Sequence, residues 1–294
     1  MKQRIICILL ALTVLLSLSS CTGKSNSTFS IEFIDVGQGD AALVECDGKR
    51  MLIDGGNAGK GGKAVYDTLV EKQIQKLDIL AISHLHEDHF AGLTKALEYA
   101  QDVQLTICNA TEPHQSHDRD SSGKDRSAQF KKFESRLTQI GSKITVPPIG
   151  KKYHLGSAEV EVLDNSSVDG NDSLVLLITY GGTKFLFTGD IEDAGQNRLS
   201  EKYHNNEDKP FKVDLIKMPH HGAYTGSLYQ FLRTFMPDHV VISVGAQNSY
   251  GYPQQNTLDL LDSKTWKPEV YRTDRNGDVF VKSDGKTITV TTSK

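Results

Sequence analysis

An α/β fold, a sandwich of two mixed β-sheets flanked by helices, is what the amino-acid sequence predicts, and three observations carry it. Strand-like segments fall in two runs, Ser30 to Gly56 with a further apolar strand near residue 80, and Ala158 to Gly245. Helix-spaced segments stand among them, the order expected when stacked sheets are covered by helices. At 294 residues, with 38% hydrophobic and 24% charged positions, the chain is long enough to bury a sizeable core.

In chain order, residues 1–20 come first: Lys2 and Arg4, an apolar run from Ile5 to Leu18, then small residues. That pattern predicts a signal peptide, the run being short for a transmembrane helix. "LSSC", ending at Cys21, resembles a bacterial lipobox, which implies acylation of Cys21; a plain signal peptide with an incidental cysteine is the alternative. Residues 21–29, polar and small, then form a lipidated flexible tether, and 30–294 the folded domain, lipid-anchored on the outer side of the bacterial cell membrane. The formal charge is −4; without residues 1–20, which hold two basic residues and no acid, 31 basic residues face 37 acidic ones, giving −6. An acidic body argues against a general nucleic-acid coat, but not against a polyanionic substrate met by bound metals. Cys46 and Cys108 remain in the domain, where a disulfide and two buried thiols are both open.

"SIEFIDVGQGDAALVECDGKRMLIDGG" alternates β-type runs with glycine turns and predicts two or three meander strands. "GKAVYDTLVEKQI", with Val65, Leu69 and Ile74 near helical spacing, predicts a helix, and "LDILAIS" a buried strand. "GLTKALEYAQ" predicts a helix. Thr111 to Lys132, polar and charged, predicts a surface loop or exposed helix near the site. The second run gives strands at "AEVEVLDN", "SLVLLITYGGTKFLFTGD", "VDLIKMP" and "HVVISVG", with a helix near "EDAGQNRLSEKY".

Between two of these elements "SHLHEDHFAG" places His84, His86, Glu87, Asp88 and His89 on the loop leaving a buried strand. Imidazoles and carboxylates are ligands of zinc or manganese, and H-x-H spacing puts His84 and His86 on one face of an extended segment. A solvated loop explains single histidines, not H-x-H-x-D-H.

"HLHEDH" is the signature of the metallo-β-lactamase superfamily, and the chain resembles the metallo-β-lactamase domain of ComEC-type competence proteins. The stretches "FIDVGQGDAALV", "LIDGG", "ISHLHEDHFAGL", "NDSLVLLI", "FLFTGD", "MPHHGAYTGS", "ISVGAQNSYGYP" and "YRTDRNGDV" carry the resemblance from Ile31 to about Lys282. It implies an αββα fold and two divalent ions, zinc or manganese. Asp54 would support the metal loop, His84 and His86 would hold one ion, Asp88 and His89 the other, and Asp190 would bridge them. Of His220 and His221, side-chain alternation along an extended chain makes one the ligand; His221 is expected to bind metal and His220 to face substrate as a catalytic group together with Asp88. Two departures stand out. The third-motif histidine is missing, its region offering Asn171, Asp172 and Ser173, and Tyr252 stands in "YGYP" where relatives show histidine. Asn171 and Ser173 are assigned supporting positions, as are Asp35 and Asp40, with turn capping favoured over catalysis for the latter two.

The expected chemistry is hydrolysis by a hydroxide held between two metal ions, without a serine or cysteine nucleophile. His220 or Asp172 would protonate the leaving group. The resemblance implies a phosphodiesterase or nuclease, with extracellular DNA as the candidate polymer. Lys124, Arg126, Lys131, Lys132 and Arg136 could meet phosphates, but Asp118, Asp120, Asp125 and Glu134 make a solvated mixed-charge face the favoured reading. A phosphorylcholine esterase is the alternative enzyme, poorly served by the single Trp266. Lactam hydrolysis is disfavoured because lactamases resembling this superfamily usually lack the histidine at 89 and carry cysteine at 190. A surface lipoprotein that only binds a partner is the alternative of another class, and it would be marked by lost ligands.

Overall fold

A computed structural model of the chain describes residues 28–113, 126–167, 172–204, 211–264 and 266–294. The segment expected to be a signal peptide, Cys21, Asp118, Asp120, Lys124, Asp125 and Asn171 lie outside the described residues. From the first half come β1 (Phe29–Phe33), β2 (Ala42–Cys46), β3 (Lys49–Ile53), α1 (Lys60–Glu71), β4 (Lys76–Leu77), β5 (Ile79–Ile82), α2 (Glu87–Phe90), α3 (Leu93–Ala96), β6 (Asp102–Val103), β7 (Thr106–Cys108), α4 (Arg126–Gln139) and β8 (Ile144–Thr145). The second half supplies β9 (Lys152–Leu155), β10 (Ala158–Asp164), β11 (Val175–Tyr180), β12 (Thr183–Phe187), α5 (Asp193–His204), β13 (Leu215–Lys217), α6 (Leu228–Phe235), β14 (His239–Ile242), α7 (Gln255–Leu261), β15 (Glu269–Arg272), α8 (Thr273–Asn276), β16 (Val279–Ser283) and β17 (Ile288–Thr292).

Two mixed sheets result, ordered β17-β16-β1-β2-β3-β5-β7-β8 and β15-β14-β13-β12-β11-β10-β9, with β4 and β6 as a small separate pair. The central strands are apolar at successive positions because both faces are covered. In β12, Phe185 and Phe187 enter the layer between the sheets, whereas Leu186 faces the outer helices. Phe29, Phe33, Val44 and Met51 meet Leu176, Ile178 and Phe185 in the inter-sheet layer. Val65, Leu69, Phe90 and Phe133 cover the first sheet, and Phe231, Leu232, Phe235 and Leu261 the second, giving four layers.

Several expectations change. The helix at "GLTKALEYAQ" is only the turn α3. The polar segment ends in α4, whose Phe130, Phe133 and Leu137 are buried, so it is a packed layer helix rather than a loose one. The last strands, β16 and β17, return to the first sheet, with β16 antiparallel to β1, although nothing in their sequence names that partner. Cys46 lies in the inter-sheet layer and Cys108 on the opposite face of the same sheet, both as free buried thiols, so a disulfide is excluded here. Burial pushes the Cys108 thiol up to about 12.

Candidate metal centre

Every candidate ligand sits where a strand ends. β3 runs into Asp54, β5 into the 84–89 loop, β12 into Asp190, and β13 into the turn Pro219–Gly222. Backbone contacts fix the first loop: Gly55 N donates to His89 O (2.6 Å) and Asp40 N to Asp88 O (3.1 Å). Gly39, at φ +127°, lets that turn close, because a Cβ there would lie 2.2 Å from Asp88 O.

Asp54 is buried and accepts from Ser83 N (2.7 Å) and Ser83 Oγ (2.7 Å). Its Oδ2 lies 3.0 Å from His89 Nδ1, so the ring turns Nε2 towards the cluster. That is the supporting part expected of it. His221 is held similarly, its Nδ1 being 2.9 Å from Ser243 O and 3.3 Å from Asp40 Oδ1. Around Asp190 Oδ2 stand four imidazole Nε2 atoms: His89 at 3.2 Å, His221 at 3.4 Å, His220 at 3.8 Å and His84 at 3.9 Å. Asp88 Oδ2 is 3.3 Å from His221 Nε2, and Asp88 Oδ1 is 3.9 Å from His89 Nε2. His86 lies beside His84, ring centroids 4.4 Å apart.

These residues fit a metal. Donors about 2.0–2.1 Å from a tetrahedral zinc lie about 3.3 Å from one another, close to the spacings among Asp88, His89, Asp190 and His221. His84 Nε2, His221 Nε2 and Asp190 Oδ1 are buried without a hydrogen-bond partner, a costly arrangement that a cation would relieve. The charges agree. Burial would raise Asp190, but the His221, His89 and His220 imidazoles hold it well below the carboxylate range. Burial would lower His89 and His221, yet Asp190 with Asp88 or Asp40 holds both well above the ordinary histidine value. Burial, with His89 and His86 adding to it, pushes His84 well down and leaves it neutral. Without an ion, then, the carboxylates favour protons on His89 and His221.

The two adjacent histidines separate, though not by strand alternation. His220 (φ 46°) and His221 (φ 54°) are consecutive left-handed residues in a 3-10 turn, and it is this rare backbone that sends one ring inward and the other outward. His221 is 1% exposed, whereas His220 stands at the rim, 18% exposed, with Nδ1 2.8 Å from Glu192 Oε1. Ser173 Oγ accepts from Asp190 N (3.0 Å) and lies 3.4 Å from His84 Nδ1, a supporting position. Arg198 Nη2 (2.9 Å) and Ser166 Oγ (2.6 Å) hold the Asp172 carboxylate. Asp35 caps its own turn through Gly37 N (3.2 Å) and faces Lys294, not the histidines. Arg136 donates to Leu97 O at 3.1 and 2.6 Å and is a structural tie, while Lys131 and Lys132 lie exposed on α4. Trp266 packs in the outer layer with Nε1 on Pro237 O, away from any cage.

Two contributors escaped the sequence reading. Lys217 is buried, its Nζ 2.6 Å from Asp40 Oδ2 and 2.8 Å from Met218 O, so Asp40 joins a cation to the His221 ring. A lysine inside the apolar strand "VDLIKMP" was the available signal. Glu192, which orients His220, had none beyond its nearness to Asp190.

The Metallo-beta-lactamase superfamily profile matches residues 34–246. The chain belongs to this superfamily. Among its relatives, ComE operon protein 3 of Bacillus subtilis (strain 168) is 27% identical over 277 residues, 86% of this chain and 33% of that protein. Recombination protein 2 of Haemophilus influenzae (strain ATCC 51907 / DSM 11121 / KW20 / Rd) is 26% identical over 93% of this chain and 31% of its own, and competence protein ComA of Neisseria gonorrhoeae 24% over 83% and 30%. The superfamily chain thus spans about a third of the length of these curated relatives. The metallo-beta-lactamase fold protein YhfI from Bacillus subtilis has the same fold, with TM-score 0.55 and 12% identity over 87% of this chain and 100% of that one. Among the described residues no helix is long and apolar enough to cross a membrane.

Proposed function

We propose that the chain is a phosphodiesterase that works with two divalent ions, zinc or manganese, held by His84, His86, Asp88, His89, Asp190 and His221. The observation that carries it is the convergence of four imidazole nitrogens on one buried carboxylate oxygen of Asp190, with unpartnered donor atoms around it. Such ions supply water activation and charge stabilisation for an in-line displacement at phosphorus. His220 does the remaining proton work: Glu192 fixes its Nδ1 side, and its Nε2 faces the cleft, where it can protonate a departing oxygen. A relative named for recombination, a reaction of DNA, favours a nucleic-acid phosphodiester. Acylated Cys21 would hold the domain at the outer membrane face.

The test is metal content of residues 22–294 together with turnover of bis(p-nitrophenyl) phosphate and of single- and double-stranded DNA. Two equivalents of metal and metal-dependent cleavage are expected. Absence of metal, or a loaded protein that cleaves no phosphodiester, refutes the reading.

A further inference from the structure

Tyrosines gather at the rim beside His220. Tyr252 is half-buried with its ring 5.3 Å from that of His220, edge to face, and 6.4 Å from that of His221. Tyr250 stacks on Tyr252, centroids 5.7 Å apart and planes 12° from parallel, and is 61% exposed, more than any other large apolar side chain among the described residues. The turn that presents them is tied at several points. Asn248 Oδ1 accepts from Tyr250 N (3.1 Å) and Tyr252 N (3.0 Å), and its Nδ2 donates to Gly245 O (3.0 Å) and Tyr252 O (2.7 Å). Pro253 packs on Gly222 of the histidine turn, where a Cβ would lie 2.5 Å away. Three rings therefore step outward from the Asp190 side of the cleft, and the last offers a bare face to solvent.

We infer that the Tyr250–Tyr252 stack is a platform for the nucleobase next to the scissile phosphate, selecting single-stranded nucleic acid and short oligonucleotides over other phosphodiesters. This rests on the phosphodiesterase reading and narrows its substrate. A planar base continues an offset stack as its next layer, whatever the base's identity. Bases inside a duplex are already stacked and cannot be offered this way. A quaternary ammonium group is held by several rings around it, and two nearly parallel rings in contact present one face rather than a box. Residues 222–227 and 245–254, which carry this stack, contain no lysine or arginine, so at this part of the rim stacking rather than a basic track supplies affinity.

The experiment uses the metal-loaded protein and two esters with the same leaving group, thymidine 5′-(p-nitrophenyl phosphate) and methyl p-nitrophenyl phosphate. Wild type should favour the nucleoside ester in kcat/KM. Tyr250→Ala should cut that ratio about tenfold, mainly through KM, as expected when roughly 1.4 kcal/mol of stacking is lost. Tyr250→Phe, which keeps the ring, should restore the ratio, and Tyr229→Ala, exposed elsewhere on α6, should leave it alone. An unchanged ratio in Tyr250→Ala overturns the inference. So does a variant that spares the nucleoside ester and instead loses turnover of choline p-nitrophenyl phosphate, which would reveal a cation site. If wild type cleaves none of the esters, the phosphodiesterase reading has failed, and the platform is then judged by titration with a thymidine oligonucleotide. Binding that depends on Tyr250 supports it, and no binding overturns it.

Discussion

His220 and His221 are neighbours in sequence with ring centroids 6.0 Å apart, yet one is a rim group and the other a buried donor. His221→Ala should therefore lose metal, whereas His220→Ala should keep it and lose turnover. General-acid help is worth about 10²–10⁴-fold and matters most for a basic leaving oxygen, so His220→Ala should harm DNA cleavage far more than nitrophenyl ester cleavage. Equal losses on both substrates would assign His220 to phosphate binding. A second expectation concerns protons. The carboxylates outweigh burial and hold His89 and His221 well above the ordinary histidine value, which favours their protonated forms without metal. A metal needs their lone pairs, so uptake should release about two protons and weaken as pH falls. Calorimetry in buffers of different ionisation enthalpy reads the number; zero release would show that the donors are already deprotonated. At this scale the ligands were legible because imidazole and carboxylate chemistry shows in residue type and spacing. Lys217 and Tyr250 were not, because their meaning comes from partners that only the fold delivers: Asp40 from the loop between β1 and β2, and Tyr252 with His220 beyond it.

At the scale of elements, the metal loop is backed by α4. Phe90, one residue past His89, has ring centroids 5.9 Å from Phe130 and 5.8 Å from Phe133. Truncating such a buried ring costs about 3–5 kcal/mol, so Phe133→Ala should lower the unfolding free energy by that amount, read as a lower urea midpoint at unchanged slope. A loss below about 1 kcal/mol would mean that α4 packs loosely. The helix was underestimated from the sequence because its exposed lysines and glutamate mask Phe130, Phe133 and Leu137, which recur at intervals of three and four and share one buried face. The opposite error occurred at "GLTKALEYAQ", where helix-forming residues yield only a short turn. Gly92 there packs so closely that a Cβ would lie 2.1 Å from Gly55 O, and the chain follows that contact rather than local propensity.

At the scale of the molecule, the four-layer plan was legible because alternating and continuous apolar runs distinguish covered faces, while the return of β16 and β17 to the first sheet was not, since edge pairing leaves no pattern in a single strand. The proposed attachment to the membrane would be a property of the whole chain and would rest on Cys21. Cys21→Ala should move the protein from the membrane to the soluble fraction, because no other part of the tether carries enough apolar surface to anchor it; unchanged membrane association removes the lipid anchor. The metal centre has a global consequence as well. Asp54, His84, Asp88 and His89 follow strands of the first sheet, whereas Asp190 and His221 follow strands of the second. Ions shared among them would staple one sheet to the other at the end of the sandwich where the histidine loops meet. Ligands that bind only the folded state stabilise it by about 2.7 kcal/mol at a hundredfold excess over Kd, which for a domain of this size is on the order of 5–10 °C in Tm. Chelation should lower Tm by that amount, and Asp190→Ala should show a much smaller metal-dependent shift, because the carboxylate assigned to both ions is gone. His220→Ala should keep the full metal-dependent shift, since its ring lies at the rim. If chelation strips the metal but leaves Tm unchanged, the ions do not join the sheets, and the donors assigned to the two sides do not share them.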